Sequence, residues 1–351
     1  MTRRKTPVAS EQSVQIDLFG GTSSLRHPRK EPHSPAPMRR IPTAKTTASA
    51  APQPEVEAAM VECLEHTGRY RVLRKLAPRE VKPHLHPPAD RAPGSWPRLG
   101  VILDTETTGL DHAAHEVIEL GMVAFTYDEA GVCDVVCVFS QLQQPAGPIT
   151  PDITRITGIT DEMVAGQRID VEAVRRFVEP ADLVIAHNAR FDRPFCEKLC
   201  HGFEAKPWAC SVSEVDWTAL GFEGTKLGYL VGQCGYFHNG HRAVDDCHAL
   251  LEVLAQPSRT GAEPAFRQLL SSAASARLRV HALGSPFHTK DILKARGYRW
   301  SDGTGRQPKC WWREIAEDAM DEEAHFLETE VYAGGMNAHV ERLTACERFK
   351  A

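Results

Sequence analysis

Three short stretches concentrate acids where chemistry could use them. In DTETTG, Asp104 to Gly109, two carboxylates stand two residues apart at the end of the apolar run GVILD. Successive side chains on a strand alternate between faces, so Asp104 and Glu106 project together. Carboxylates held side by side repel; the pair is tolerable when it shares a cation, when one is protonated, or when both lean into water. HNARFD, His187 to Asp192, places another acid just after a second apolar run, LVIAH. HRAVDD, His241 to Asp246, sets a His and an Asp five apart at the entrance to a helix. Three acidic clusters at element ends, far apart in the chain, form the pattern of an assembled site.

The elements needed to position these groups are legible between Leu99 and about Ala255, which has the texture of a compact α/β domain. GVILD reads as a buried strand. VIELGMVAFTYD and VCDVVCVFSQL read as two more, joined at the turn Asp128 to Gly131 as a hairpin. Helical patterns follow, then LVIAH, a helix from about Phe191 and a last helix over Asp245–Leu254.

DTETTG, HNARFD and HRAVDD, in that order, resemble the three motifs of the DEDDh exonucleases, the family of the bacterial proofreading subunit, ribonuclease T and oligoribonuclease. ITPDITRITGITDEM, Ile149 to Met163, resembles that family's TGIT segment. The resemblance covers residues 98–256 and implies a ribonuclease-H-like α/β fold, a mixed sheet flanked by helices. It further implies that Asp104, Glu106, Asp192 and Asp246 hold two Mg²⁺ or Mn²⁺ ions about 3.5–4 Å apart, one readying the attacking water and one stabilising the leaving 3′ oxygen. Hard oxygen ligands suit such cations. In this family pattern His241 is the general base, Thr107 and Asn188 touch the terminal nucleotide, and the product is a 5′-nucleoside monophosphate released from a 3′ end. The H-x-A-x-x-D spacing selects Asp246 over its neighbour Asp245, and His187 reads as structural. An exoribonuclease on the same scaffold is the rival reading; a non-catalytic adaptor is disfavoured because every motif carboxylate is intact.

A small α+β unit is expected over residues 277–333: a strand RLRVHAL, a helix opened by Ser285 and Pro286, a hairpin YRW–SDGTGRQP–KCWWREI and an acidic helix. From Arg277 to Arg313 nine cations stand against two acids, interleaved with Tyr298, Trp300, Trp311 and Trp312. Cations for phosphates and rings for stacking are what a single strand requires, with Lys309 and Trp312 as candidate contacts. The opposing reading makes the rings the core of a small domain, with Tyr298 and Trp300 on one strand face.

The first 97 residues carry fourteen of the 24 prolines. Residues 1–53 are rich in Pro, Ser, Thr, Ala and Arg, and such a stretch is expected to be a disordered basic tail. Within it Gln15-Ile16-Asp17-Leu18-Phe19 resembles the peptide that binds the bacterial sliding clamp, Gln15 meeting a pocket rim and Leu18 and Phe19 anchoring in an apolar pocket. Clamp docking would favour DNA over RNA. A helix over about Glu55–Glu65, a strand over Tyr70–Leu76 and a Pro-rich link complete residues 54–97.

At 351 residues, 42% hydrophobic and a net charge of -5, the chain can bury a sizeable core. No apolar run reaches a membrane span, and nothing resembles a secretory leader, so a cytoplasmic location is expected. The ten cysteines are scattered without a C-x-x-C, which fits reduced thiols rather than a zinc site.

Overall fold

The protein is described by a computed structural model over residues 54–88, 91–92, 95–304, 307–335 and 337–350. The basic tail and the clamp-like peptide, with Gln15, Leu18 and Phe19, lie outside the described residues. Residues 59–351 form one unit; of the other, residues 1–58, the described part is the opening of the first helix.

That helix, α1 (Pro54–His66), is followed by Gly68 in the left-handed region, at φ +67°, and its amide caps the helix by donating to the Glu65 carbonyl. The expected strand over 70–76 is shorter than its alternation suggests. Only β1 (Arg74–Lys75) forms, in parallel with the equally short β7 (Tyr236–Phe237).

Three long apolar runs build the main sheet: β2 (Arg98–Thr107), β3 (Val117–Tyr127) and β4 (Val132–Leu142) form an antiparallel meander. Two short strands, β5 (Leu183–Ala186) and β6 (Trp208–Cys210), extend it in parallel, giving the order β4-β3-β2-β5-β6. Between β4 and β5 lie α2 (Pro151–Thr157), α3 (Asp161–Val164) and α4 (Val171–Val178). The expected TGIT segment supplies two caps there: Thr160 Oγ1 accepts from the Met163 amide at the start of α3, and Gly158 closes α2 at φ +69°.

Alternation along β2 and β3 divides the core. Leu99, Val101, Leu103, Leu120, Met122 and Ala124 face one layer, which includes α5 (Ala189–Leu199). Ile102, Val123, Phe125 and Tyr127 face the other, which includes α8 (Ala243–Leu254) and α9 (Ala265–Ala274). The short α6 (Ser211–Glu214) and α7 (Leu227–Gln233) connect these layers to the sheet. Burial on both faces explains why β3 reads as an unbroken apolar run.

The C-terminal unit is a four-stranded antiparallel sheet, β11-β8-β10-β9, from β8 (Arg277–Ala282), β9 (Arg299–Ser301), β10 (Cys310–Ala316) and β11 (Ala338–Leu343). The unit therefore runs past the boundary expected at residue 333. AHVERL is half polar because β11 is an edge strand, exposed on one side. α10 (Lys290–Ala295) begins five residues after Ser285: a 3₁₀ turn over Phe287–Thr289 precedes it, with Thr289 Oγ1 donating to the Pro286 carbonyl. α11 (Met320–Phe326) supplies the acidic helix. Tyr298 precedes β9 and is buried at 3%, whereas Trp300 is 52% exposed, so the two rings do not share the expected face. Tyr298 donates to the buried Glu323 at 2.8 Å, a carboxylate also held by Arg296 and Arg313.

The last residues return to the main sheet. The Trp208 amide donates to the Ala345 carbonyl, and the buried Arg193 guanidinium donates to the carbonyls of Cys346 and Arg348, each at 2.7 Å. Phe349 packs into the layer beside α5, and Arg348 pairs with Glu214. The C-terminal sheet is thus bound to the main sheet rather than tethered to it. Among the described residues no helix is long and apolar enough to cross a membrane.

Candidate active site

β2 carries Asp104 and Glu106 toward α8, and the register shift after Glu106 ends the regular ladder at that point. Asp246 sits in the first turn of α8, where the helix N-terminus favours an anion. Oxygens of Asp104, Glu106 and Asp246 come within 4.8 Å of one another. Asp192 reaches the same strand from the opposite layer: its Oδ1 accepts from the Thr105 hydroxyl at 2.8 Å and the Thr105 amide at 3.2 Å. Thr105, on the face opposite Asp104 and Glu106, is how α5 is registered against the site.

The electrostatics follow from this crowding. Burial, then Asp192, Asp246 and Glu106, push the Asp104 carboxyl well above its usual range. Glu106 is pushed up to about 8, by burial first and then by Asp246 and Glu119. Asp192 is raised to about 7 by burial, against the opposing pull of the Thr105 hydrogen bonds. A set of hard oxygen donors that resists shedding its protons fits a divalent cation, whose charge would restore the ionised form.

Asp246 is engaged on both oxygens. Oδ2 accepts the Arg242 amide at 3.1 Å, one of the orphan amides at the helix start, and His238 Nε2 meets Oδ1 at 2.8 Å. Asp245 instead accepts from Asn239 at 3.2 Å, and it is Asp246 whose oxygen lies with those of Asp104 and Glu106. His241 is exposed, has no hydrogen bond among the described residues, and takes a left-handed backbone at φ +63°, an uncommon state for a side-chain-bearing residue. Thr107 is buried with its hydroxyl donating to the Gly109 carbonyl at 2.7 Å, and Asn188 is exposed at the start of α5. Both ring nitrogens of His187, which reads as structural in the sequence, are engaged: they meet Ser211 Oγ at 2.7 Å and the Thr225 carbonyl at 2.8 Å, and burial lowers its pKa to about 4.

Glu119 and Gly121 also escape sequence reading. Glu119, opposite Glu106 in the β2–β3 register, is 1% exposed and accepts from Arg242 Nη2 at 2.9 Å and from the Ala243 amide at 3.2 Å. An acid inside the apolar run VIELGMVAF was the one available signal. Gly121, two residues on and on the same face, lies so close to α8 that a Cβ there would be 2.3 Å from the Val244 amide nitrogen. Neither candidate contact of the C-terminal unit belongs to the carboxylate cluster. Lys309 is exposed, and Trp312, only 9% exposed, is the platform for three arginines rather than an open stacking ring.

A family model described as an exonuclease, of the RNase T type, matches residues 101–254. The DNA polymerase III subunit epsilon of Treponema pallidum is 32% identical over 160 residues, covering 43% of this chain and 72% of the relative. The PolC-type DNA polymerase III of Clostridium perfringens is 33% identical over 160 residues, but the match spans only 11% of that much longer protein. Among solved structures, exonuclease X in complex with 5′ overhanging duplex DNA aligns at TM-score 0.36 and 24% identity, over 48% of this chain and 97% of that one. The zinc-ion-bound E. coli ExoI–ssDNA complex aligns at TM-score 0.43 and 14% identity, over 62% and 63%. With all three acidic motifs inside the matched segment and most of the epsilon subunit covered, the chain belongs to the exonuclease family of the DNA polymerase III epsilon subunit.

Proposed function

We propose that this protein hydrolyses phosphodiester bonds one nucleotide at a time from the 3′ end of DNA, releasing 5′-nucleoside monophosphates in replication or repair. The observation that carries this reading is the carboxylate cluster of Asp104, Glu106 and Asp246, its oxygens within 4.8 Å of one another, with Asp192 hydrogen-bonded to the intervening Thr105. Those four residues would hold two divalent cations, Mg²⁺ or Mn²⁺. When bound, such ions supply an activated water and charge stabilisation for the departing 3′ oxygen. Thr105 and His238 orient Asp192 and Asp246 through the hydrogen bonds described above. His241, on the solvent side of the start of α8, accepts the proton of the attacking water at an imidazole nitrogen and passes it to solvent. Thr107 and Asn188 flank the cluster and position the terminal nucleotide.

DNA is favoured over RNA because both polymerase relatives named above are DNA polymerase components. The peptide Gln15–Phe19 adds a second part: Leu18 and Phe19 dock in the apolar pocket of a sliding clamp and raise the local concentration of the nuclease at primer ends. The test is chromatographic analysis of products from matched DNA and RNA strands in Mg²⁺. Deoxynucleoside 5′-monophosphates from DNA support the reading. Release from RNA alone would transfer it to RNA trimming, and no release from either would reject it.

A further inference from the structure

Between the first turn of α5 and the C-terminal sheet lies a cleft of about 210 Å³. Five arginines line it, Arg190, Arg277, Arg299, Arg313 and Arg348, against two acids, Glu214 and Glu314. The acids are already committed. Arg348 pairs with Glu214, and Arg279 takes Glu314 at 2.8 Å, leaving Arg190 a looser 3.7 Å contact. Arg313 turns to the buried Glu323 at 2.9 Å. Arg277 and Arg299 have no carboxylate within ion-pair distance among the described residues, an unfavourable concentration of charge unless an anion joins it.

The cations are also held in place. Arg190, Arg279 and Arg299 lie 5.5, 5.3 and 5.9 Å from the Trp312 ring, within cation–π range. Burial foremost, with Arg299 and Arg279 adding repulsion, lowers the pKa of Arg190. The C-terminal return through Ala345, Cys346 and Arg348 locks both walls together. Forked guanidinium donors in a fixed cleft match phosphate oxygens. Arg190 and Asp192 both stand in the first turn of α5, so one wall of the cleft belongs to the helix that carries the Asp192 carboxylate.

We propose that this cleft is a second anchor for the substrate strand, in which Arg190, Arg277 and Arg299 hold a backbone phosphodiester on the 5′ side of the nucleotide being removed. The proposal rests on the nuclease reading, which sets a 3′ end at the carboxylates and leaves the remaining strand to run along the protein. It also gives the C-terminal unit its part in the reaction: β8 and β9 carry Arg277 and Arg299, and Trp312 on β10 acts as their platform rather than as a base-stacking ring.

The test is fluorescence anisotropy of a labelled single strand about 20 nucleotides long, titrated with the full chain in EDTA at several KCl concentrations. EDTA prevents cleavage, so binding is read independently of catalysis. Wild type is compared with Arg277→Gln, Arg299→Gln, the double variant, and Arg155→Gln, whose exposed partner Asp152 lies on α2. Neither cleft arginine gives up an ion pair, and the single variants keep the test open if the double variant misfolds. The expected result is a salt slope reduced by about 0.7 for each cleft arginine removed, with the wild-type slope for Arg155→Gln. Wild-type slope and affinity in both cleft variants would overturn the proposal, as would an equal loss in Arg155→Gln. In a parallel digestion with Mg²⁺ in place of EDTA, cleavage of DNA together with unaltered binding by the cleft variants would reject the anchor alone; cleft-dependent binding without cleavage of any strand would reject the nuclease reading alone.

Discussion

Glu119 and Arg242 form the joint between the central sheet and the helix that carries Asp246. The carboxylate on β3 is buried, the guanidinium grips it at 2.9 and 3.2 Å, and the next amide, of Ala243, donates to the same group. The start of α8 is thereby registered against β3, and Asp246 lies one turn further on. Arg242→Ala would leave a buried carboxylate with one amide partner. Because the guanidinium is 38% exposed, the expected cost is about 2 kcal/mol, below the ~3–5 kcal/mol of a fully buried pair. Turnover should fall by about 10–100-fold, as for groups that orient metal ligands. Urea unfolding and a nuclease assay on one preparation check both; wild-type turnover would remove the joint from the account.

Gly121 makes the same joint sterically. With 2.3 and 2.4 Å from its absent Cβ to Val244 N and Ala243 C, Gly121→Ala must push backbone against backbone. Overpacking of this kind costs about 1–3 kcal/mol, and here the displaced element is the one that carries Asp246. The variant should fold with a lowered melting temperature and lose most of its activity at temperatures where it remains folded. Full activity in the folded variant would show that α8 can shift without harm.

The raised carboxyl pKa values carry a sign. A carboxyl whose folded pKa lies above its unfolded one contributes stability that is present below the unfolded value and lost as pH rises through the folded value. For Glu106 and Asp192, raised to about 8 and about 7, the metal-free protein should lose stability from the ordinary carboxylate range up to about pH 8. His187 acts in the opposite sense, losing stability as pH falls from about 6.5 through 4, so the carboxylates are best read between pH 6.5 and 8. Asp104→Asn should raise the melting temperature in EDTA at pH 8 by replacing a buried carboxyl whose ionisation its burial and acidic neighbours oppose. Mg²⁺ should raise that of wild type at pH 8 and barely affect the variant. Calorimetry with and without EDTA measures both, and an Asp104→Asn protein less stable than wild type in EDTA would contradict the crowding argument.

For the N-terminal peptide, replacing Leu18 and Phe19 together by Ala should abolish clamp binding in a surface-capture assay while cleavage of a short free oligonucleotide is unaffected. Loss of the anchors removes most of the binding energy of so short a segment. Unaltered capture by the clamp would dismiss the peptide as a docking element.

Much of the site was legible in the sequence because its carboxylates sit at the ends of strongly patterned elements. The apolar run before Asp104, the alternation through Glu106 and the helical period after Ala243 each position one acid by local rules. Thr105, Glu119, Gly121 and Arg242 were not legible as site residues, since their roles arise from contacts between β2, β3, α5 and α8 that local periodicity does not encode. The same limit applies to the C-terminal sheet. AHVERL reads as unremarkable polar chain, and only its pairing with β8, residue Ala338 opposite Ala282, makes it a strand. Tyr298 and Trp300 were separated by where β9 begins, a boundary that alternation alone misplaces by one residue.

The most direct test of the account is digestion of a DNA strand labelled at its 5′ end, in Mg²⁺, by wild type and by Asp104→Asn side by side. Wild type should give a ladder of labelled products that shortens from the 3′ end, and the variant should leave the strand intact. A ladder persisting in Asp104→Asn, or a labelled mononucleotide as the first product, would contradict the account.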